Sequence, residues 1–324
     1  MQALPLEMKI KLTERRIRDW YNYWAGAVYV SFSGGKDSTV LLDIVRNIYP
    51  DVEAVFVNTG LEYPEIQAFV KTFENVRVLH PKKTFVQVLS QFGYPVLSKE
   101  ISHNVSIAKR IPNSRTYNHI FVPDNKRSRY CLERYIPMLT MDFMPSDRCC
   151  DIMKKSPAHQ YAKESGKLGI TAQMACESRL RTQKWLQNGC NAFETRNPVS
   201  NPMSFWTEQD VLHYISEKGL KIASVYGEIV PEDDQYTLTP DCKLKTTGCQ
   251  RTGCVYCGFG CHLEKGQTRF QRLKETHPKQ YDFCINGGQY NEAGLWVPSK
   301  EGLGLAHVFD ELNKVYGENF IRYK

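Results

Sequence analysis

The feature that most constrains this chain is a six-residue stretch, Ser33-Gly34-Gly35-Lys36-Asp37-Ser38. Residues 27–32 before it are β-branched and aromatic, which predicts a buried strand, and residues 39–45 after it carry apolar side chains at helical spacing. Paired glycines between a strand and a helix let the backbone turn tightly and come close to a ligand. Such a turn aims successive N–H groups at one point, and the helix N-terminus adds positive partial charge. The combination suits a phosphate or pyrophosphate. Ser33 and Ser38 offer hydroxyls, Lys36 a point charge and Asp37 a carboxylate for Mg2+. The Walker loop needs G-x-x-x-x-G-K-[ST], and this loop lacks the spacer between its glycines. A plain strand-to-helix turn is the bland alternative, disfavoured by so specific a run of residues in this context.

The loop resembles that of the PP-loop ATP pyrophosphatases and, within them, the phosphoadenylyl- and adenylyl-sulfate reductase family. The resemblance implies cleavage of ATP between its α- and β-phosphates, with the loop holding the departing pyrophosphate. Ser33, Gly34, Gly35, Lys36, Asp37 and Ser38 are then nucleotide-binding, and Lys36 and Asp37 also catalytic. The implied fold is α/β: a five-stranded parallel sheet with helices on both faces, with a Cys-rich C-terminal segment.

The bulk properties agree with such a domain. A chain of 324 residues, 42% hydrophobic and 24% charged, is ordinary for a globular protein with ample core. No apolar run approaches the ~20 residues of a membrane helix, and the N-terminus lacks a signal-peptide pattern, so a cytoplasmic protein that does not engage membranes is expected. The net charge of +7 favours anionic ligands without requiring nucleic acid. Eleven cysteines are too unevenly placed for a disulfide framework; clustered thiols in a reducing compartment point to metal.

Three regions are expected: a basic amphipathic helix within residues 1–26, a nucleotide-binding α/β domain over 27–230, and a Cys-rich, cluster-binding and helical region over 231–324. In the first, Ile10, Ile17, Trp20 or Tyr21, and Trp24 share a face, while Lys9, Lys11, Arg15, Arg16 and Arg18 crowd the rest. A solvated basic face is the simpler reading of those charges, and a surface for an anionic partner the other. A second strand over 53–58 leads into Thr59-Gly60-Leu61-Glu62-Tyr63-Pro64-Glu65, so two parallel strands end at the same crevice. Thr59, Gly60, Tyr63, Pro64 and Glu65 match the family, whose aspartate is replaced by Asn58; Asn58, Thr59 and Gly60 are expected near the adenine. A third strand is predicted at 76–80, and helices over 84–92 and 99–110. The polar segment 111–130 is open between a loop over the site and a binding surface.

Further matches follow in the family's order. Cys149, Cys150, Lys154 and Pro157 fit a C-C-x2-R-K-x2-P pattern in which Met153 replaces arginine. Thr171, Glu177, Ser178 and Arg181 fit T-G-x-R-x2-[EQ]-S-x2-R, where Ala172 and Met174 replace glycine and arginine. The resemblance makes Glu177 and Ser178 cofactor-binding and Arg181 catalytic, while the missing arginine counts against a sulfonucleotide substrate. A segment from Asn197 through Trp206, Thr207 and Asp210 is read as packing, with a capping box at the following helix. Gly253, Cys254 and Cys257 fit G-C-x2-C, so the resemblance implies a [4Fe–4S] cluster on Cys149, Cys150, Cys254 and Cys257. Zinc on Cys249, Cys254, Cys257 and Cys261 is the rival, and roles for Cys176, Cys242 and Cys284 stay open.

Sulfonucleotide reductases carry a late Glu-Cys-Gly-[Ile/Leu]-His segment, whereas here no cysteine follows Cys284. Other PP-loop enzymes with clusters, such as tRNA thiolases and DNA phosphorothioation enzymes, are the closer resemblance, which implies ATP- and Mg2+-dependent adenylation of an acceptor, nucleic acid or small molecule, followed by sulfur transfer. A cysteine desulfurase is the expected kind of sulfur donor. A reductase is the runner-up, and a zinc-bound nucleic-acid module with a degenerate loop is a third reading.

Overall fold

A computed structural model describes residues 1–113, 117, 120, 121, 131–232 and 242–324. Most of the polar segment expected at 111–130 lies outside these residues. The chain forms two compact units, each built from two separate stretches: residues 1–81 with 156–253, and residues 82–155 with 254–324.

The first unit is organised on a six-stranded sheet. Edge to edge, its strands are Val76–Leu79, Ala54–Val57, Val28–Ser31, Leu168–Ile170, Val199–Ser200 and Asn191–Ala192. The first five are parallel, as the sequence predicts. The sixth, Asn191–Ala192, is an antiparallel edge strand that the sequence did not announce. Val28, Val30, Ala54, Val55 and Phe56 are buried, which fits central strands covered on both faces. Val76–Leu79 is at the edge, where Val76 and Leu79 are partly buried and Arg77 and Val78 exposed.

The order in which strands are added reverses beside Val28–Ser31. Strands two and three are added on one side, and Leu168–Ile170 on the other. Right-handed crossovers therefore put the early helices on one face and the returning helix, Ser156–Ser165, on the other. Tyr161 of that helix meets Tyr29 edge-on, with ring centroids 5.2 Å apart. A sheet of this order leaves a crevice beyond the carboxyl ends of the two strands flanking the reversal.

The helix Leu6–Tyr23 starts and ends close to expectation, but its buried face includes a residue assigned to the solvated basic side. Lys9 is only 2% exposed, and its Nζ lies 2.6 Å from Asp210 Oδ2. Asp210 also completes the capping box of the helix Glu208–Lys218, accepting from the Thr207 N–H at 2.6 Å. Lys9 lies on the stripe with Thr13, Ile17 and Trp20, so its position follows the helical period even though its type does not. Trp206 is fully buried and donates from Nε1 to Thr13 Oγ1 at 2.8 Å.

The second unit is mainly helical. Phe85–Phe92 and Lys99–Arg110 form as expected, and the helices of the C-terminal region are Arg269–Thr276, Pro278–Ile285 and Leu305–Tyr316. Val96–Leu97 pairs in parallel with Gly258–Phe259. At Gly258 a Cβ would lie 2.5 Å from the Pro95 carbonyl oxygen, so this close pairing depends on glycine. Among the described residues, no helix is long and apolar enough to cross a membrane.

Candidate functional site

The loop 33–38 leaves the end of Val28–Ser31 and opens the helix Lys36–Ile48. Gly34 has φ +71°, and a Cβ there would meet methyl groups of Val70 and Ile66 at 2.8 and 2.9 Å. Both glycine properties, positive φ and missing bulk, are used at this position. The loop is tied by its own hydroxyls: Ser33 Oγ and Ser38 Oγ are 3.1 Å apart, and Ser38 Oγ donates to the Gly35 carbonyl at 2.9 Å. A Cβ on Gly35 would lie 3.3 Å from both Ser33 Oγ and Tyr226 Oη.

The fold gathers charges around this loop. Lys36 is 5% exposed, with its Nζ 3.1 Å from Glu208 Oε1 and 5.3 Å from the centre of the Tyr226 ring. Burial raises the Asp37 carboxyl above its usual range, against the opposing pull of Lys36, Arg251 and Arg181. Glu177 pairs with Arg181 and lies 3.9 Å from Arg251. Ser178 caps the helix Arg179–Asn188, its hydroxyl accepting from the Arg181 N–H at 3.3 Å. Asn58, Thr59 and Gly60 follow the neighbouring strand, where Asn58 Oδ1 accepts from Gly60 and Glu62 accepts from Thr59.

Four residues of this neighbourhood escaped the sequence reading: Glu208, Tyr226, Arg251 and Thr252. Tyr226 Oη and Thr252 Oγ1 are 2.5 Å apart, and Tyr226 Oη also receives the Lys36 N–H at 3.4 Å. Arg251 and Thr252 stand inside a stretch read only for its cysteines. Glu208 belongs to the segment read as packing, which both packs and brings its carboxylate to Lys36. Cys176, exposed, has Arg251 and Asp37 as charged neighbours, and the surrounding protein raises its thiol above the ordinary range.

The four cysteines of the expected cluster all belong to the second unit. Cys149 Sγ and Cys150 Sγ are 4.0 Å apart at the start of a short helical turn, Arg148–Cys150. The hydrogen bond from Cys149, helped by Lys99 and Lys154, lowers the Cys150 thiol against the opposing effect of burial. The same bond and burial raise Cys149, and burial raises Cys257 to about 11. Cys254 and Cys257 both contribute to the field at Cys149, so the four thiols share one electrostatic neighbourhood. Among the described residues, no three His, Cys, Asp or Glu side chains are disposed to hold a single metal ion.

Comparison with known proteins supplies the family. The phosphoadenosine phosphosulfate reductase domain matches residues 27–99 and 120–258, about two thirds of the chain. The chain belongs to the phosphoadenosine phosphosulfate reductase domain family. An adenosine 5'-phosphosulfate reductase of Geobacillus kaustophilus is 26% identical over 98 residues, covering 28% of this chain and 42% of the relative. Another, of Lysinibacillus sphaericus, is 22% identical over 213 residues, 65% of this chain and 72% of its own length. An uncharacterized protein of Methanocaldococcus jannaschii is 33% identical over 109 residues, 31% of this chain and 26% of the relative. The chain thus spans about a quarter and about two fifths of the length of two of these relatives. A phosphoadenylyl-sulfate reductase structure from Candida auris, in a phosphate complex, overlays at TM-score 0.38 and 15% identity, over 68% of this chain and 91% of that one.

Proposed function

We propose that this member of the family is an AMP- and pyrophosphate-forming enzyme that adenylates an acceptor and exchanges the activated oxygen for sulfur. The observation that carries the reading is the loop 33–38 at the reversal point of the sheet, with Lys36, Asp37, Arg181 and Arg251 around it. An acceptor oxygen attacks the α-phosphorus of ATP; the bond from that phosphorus to the bridging oxygen breaks, and pyrophosphate departs with the electron pair. The loop N–H groups and the cations stabilise the charge that develops on the leaving group. AMP is then the leaving group when sulfur displaces the acceptor oxygen. Adenine is assigned to the turn Asn58-Thr59-Gly60 on the adjacent strand.

Asp37 is the residue that would hold Mg2+. One carboxylate fits that ion, which is commonly held by one or two carboxylates together with substrate phosphates and water. Its buried, raised carboxyl beside three cations is a site where a phosphate-bound cation would restore the ionised form. Bound Mg2+ would neutralise phosphate charge and polarise the reacting phosphate.

Cys149, Cys150, Cys254 and Cys257 are the residues that would hold the [4Fe–4S] cluster. The donor set suits it by its chemistry: four thiols in one unit, with Cys150, Cys254 and Cys257 all felt at Cys149. A cluster takes its thiolates at separate corners. Bound there, it would supply sulfur or redox chemistry. A cysteine desulfurase is the class of sulfur donor proposed.

Adenosine 5'-phosphosulfate reduction is the second reading, favoured by the relatives carrying that name. Against it stands Met174, which is buried at the position of the family's anion-binding arginine. Purified, anaerobically prepared protein assayed for sulfite from adenosine 5'-phosphosulfate, and for AMP from ATP with acceptor, separates the two. Sulfite production without ATP turnover would replace the proposal by the reductase.

A further inference from the structure

The first unit holds a cavity of about 300 Å3 that the nucleotide loop does not line. It lies at the end of Leu168–Ile170, bounded by the helix Arg179–Asn188 and by residues around the two short strands at 191–192 and 199–200. Arg181, Lys184 and Arg196 line it, together with Trp185 and the side-chain amides of Asn188 and Asn197. No carboxylate is among its lining residues. The charged residues of the lining are all cationic, Arg181 being already paired with Glu177, and with the amides and the indole they offer a complementary group to each part of a phosphate-bearing base.

Two observations extend this beyond a free nucleotide. Asn191 Nδ2 donates to the Arg16 carbonyl at 2.9 Å, which brings the basic helix Leu6–Tyr23 to the strand beside the cavity. Arg15 and Arg18 are exposed on that helix, so it carries cationic surface of the kind a nucleic-acid backbone takes up. Arg181 lines the cavity and is also among the charged neighbours of Asp37, so one residue is common to the cavity and the surroundings of the loop. We propose that this cavity seats one nucleotide of a single-stranded nucleic acid, which makes the strand the acceptor. The word acceptor rests on the function proposed above; the binding does not.

Fluorescence anisotropy with short labelled single-stranded DNA and RNA, in separate arms, tests the inference without turnover. At least one strand is expected to bind, with affinity falling as salt rises. The double variant K184E/R196E is expected to weaken binding at least tenfold, while the double variant K184R/R196K retains it. Trp185→Ala should cost about 5- to 150-fold, the range of lost base stacking. All variants should keep the circular dichroism and ATP affinity of the parent protein. Strand binding unaffected by K184E/R196E, displacement of the strand by Mg·ATP, or equal affinity for free mononucleotides would each overturn the proposal. Absence of ATP binding in the parent protein would instead sink the adenylation reading, leaving strand binding scored on its own.

Discussion

Replacing the two loop glycines should produce two separable failures. In Gly34→Ala, the new Cβ falls 2.8 Å from a Val70 methyl and 2.9 Å from an Ile66 methyl, at a φ of +71°. The left-handed backbone costs about 1–2 kcal/mol for an L side chain. Crowding in a packed interior adds about 1–3 kcal/mol. The sum, roughly 2–5 kcal/mol, corresponds to a fall of roughly 4–20 °C in Tm for a unit of this size. Gly35 has an ordinary φ of −79°, and a Cβ there meets two hydroxyls at 3.3 Å, so Gly35→Ala should melt close to the parent. Gly35→Val should fold yet lose ATP, because its methyl groups block the approach of phosphate to the loop N–H groups. Two lost charge-assisted hydrogen bonds, at about 1.5–3 kcal/mol each, weaken Kd by at least about a hundredfold. Differential scanning calorimetry and titration calorimetry with ATP read the two effects. A Gly34→Ala protein melting within about a degree of the parent, or a folded Gly35→Val protein with unchanged ATP affinity, would refute the loop's assigned role.

Further outcomes follow from other contacts. Lys9→Met should destabilise the first unit by about 3 kcal/mol, because it leaves Asp210 with only its capping bonds, and adding Asp210→Asn should recover part of the loss in denaturant titrations. Burial raises the Glu53 carboxyl, but hydrogen bonds from Lys167, Tyr161 and Arg77 outweigh it and hold the pKa below the ordinary value. A depressed carboxyl stabilises the fold above its unfolded pKa, near 4.3, and that contribution disappears as pH falls; Glu53→Gln should therefore flatten the acid limb of stability against pH. Cys150→Ser should lose iron and acid-labile sulfide from anaerobically made protein while keeping ATP affinity, and a colourless parent with stoichiometric zinc would exclude the cluster.

Much of the first unit was legible because its signals are local. Residues 27–32 and 53–58 carry β-branched and aromatic side chains in runs too short for helices, and both became central parallel strands. The helix after the loop was visible from its apolar spacing, and its buried residues run from Lys36 through Val45. The antiparallel strand Asn191–Ala192 was not legible, since two residues at a sheet edge leave no periodicity to detect. Lys9 was misplaced because residue type outweighed helical position, and its ion pair with Asp210 joins residues 201 positions apart. The same limit hid Glu208, Tyr226 and Arg251 from the site. Each reaches the loop only through tertiary packing, and nothing adjacent in sequence marks it. Cysteine spacing identified the candidate thiols, but not the hydrogen bond between Cys149 and Cys150, which favours the thiolate of Cys150.

The most direct measurement of the central claim is the identity of the nucleotide products. The protein is incubated anaerobically with Mg·ATP, a single-stranded nucleic acid acceptor and a sulfide donor, and the nucleotides are separated by chromatography while pyrophosphate is measured enzymatically. The account predicts AMP and pyrophosphate in equal amounts, dependent on acceptor and abolished in Asp37→Ala. ADP and phosphate as the products would contradict it.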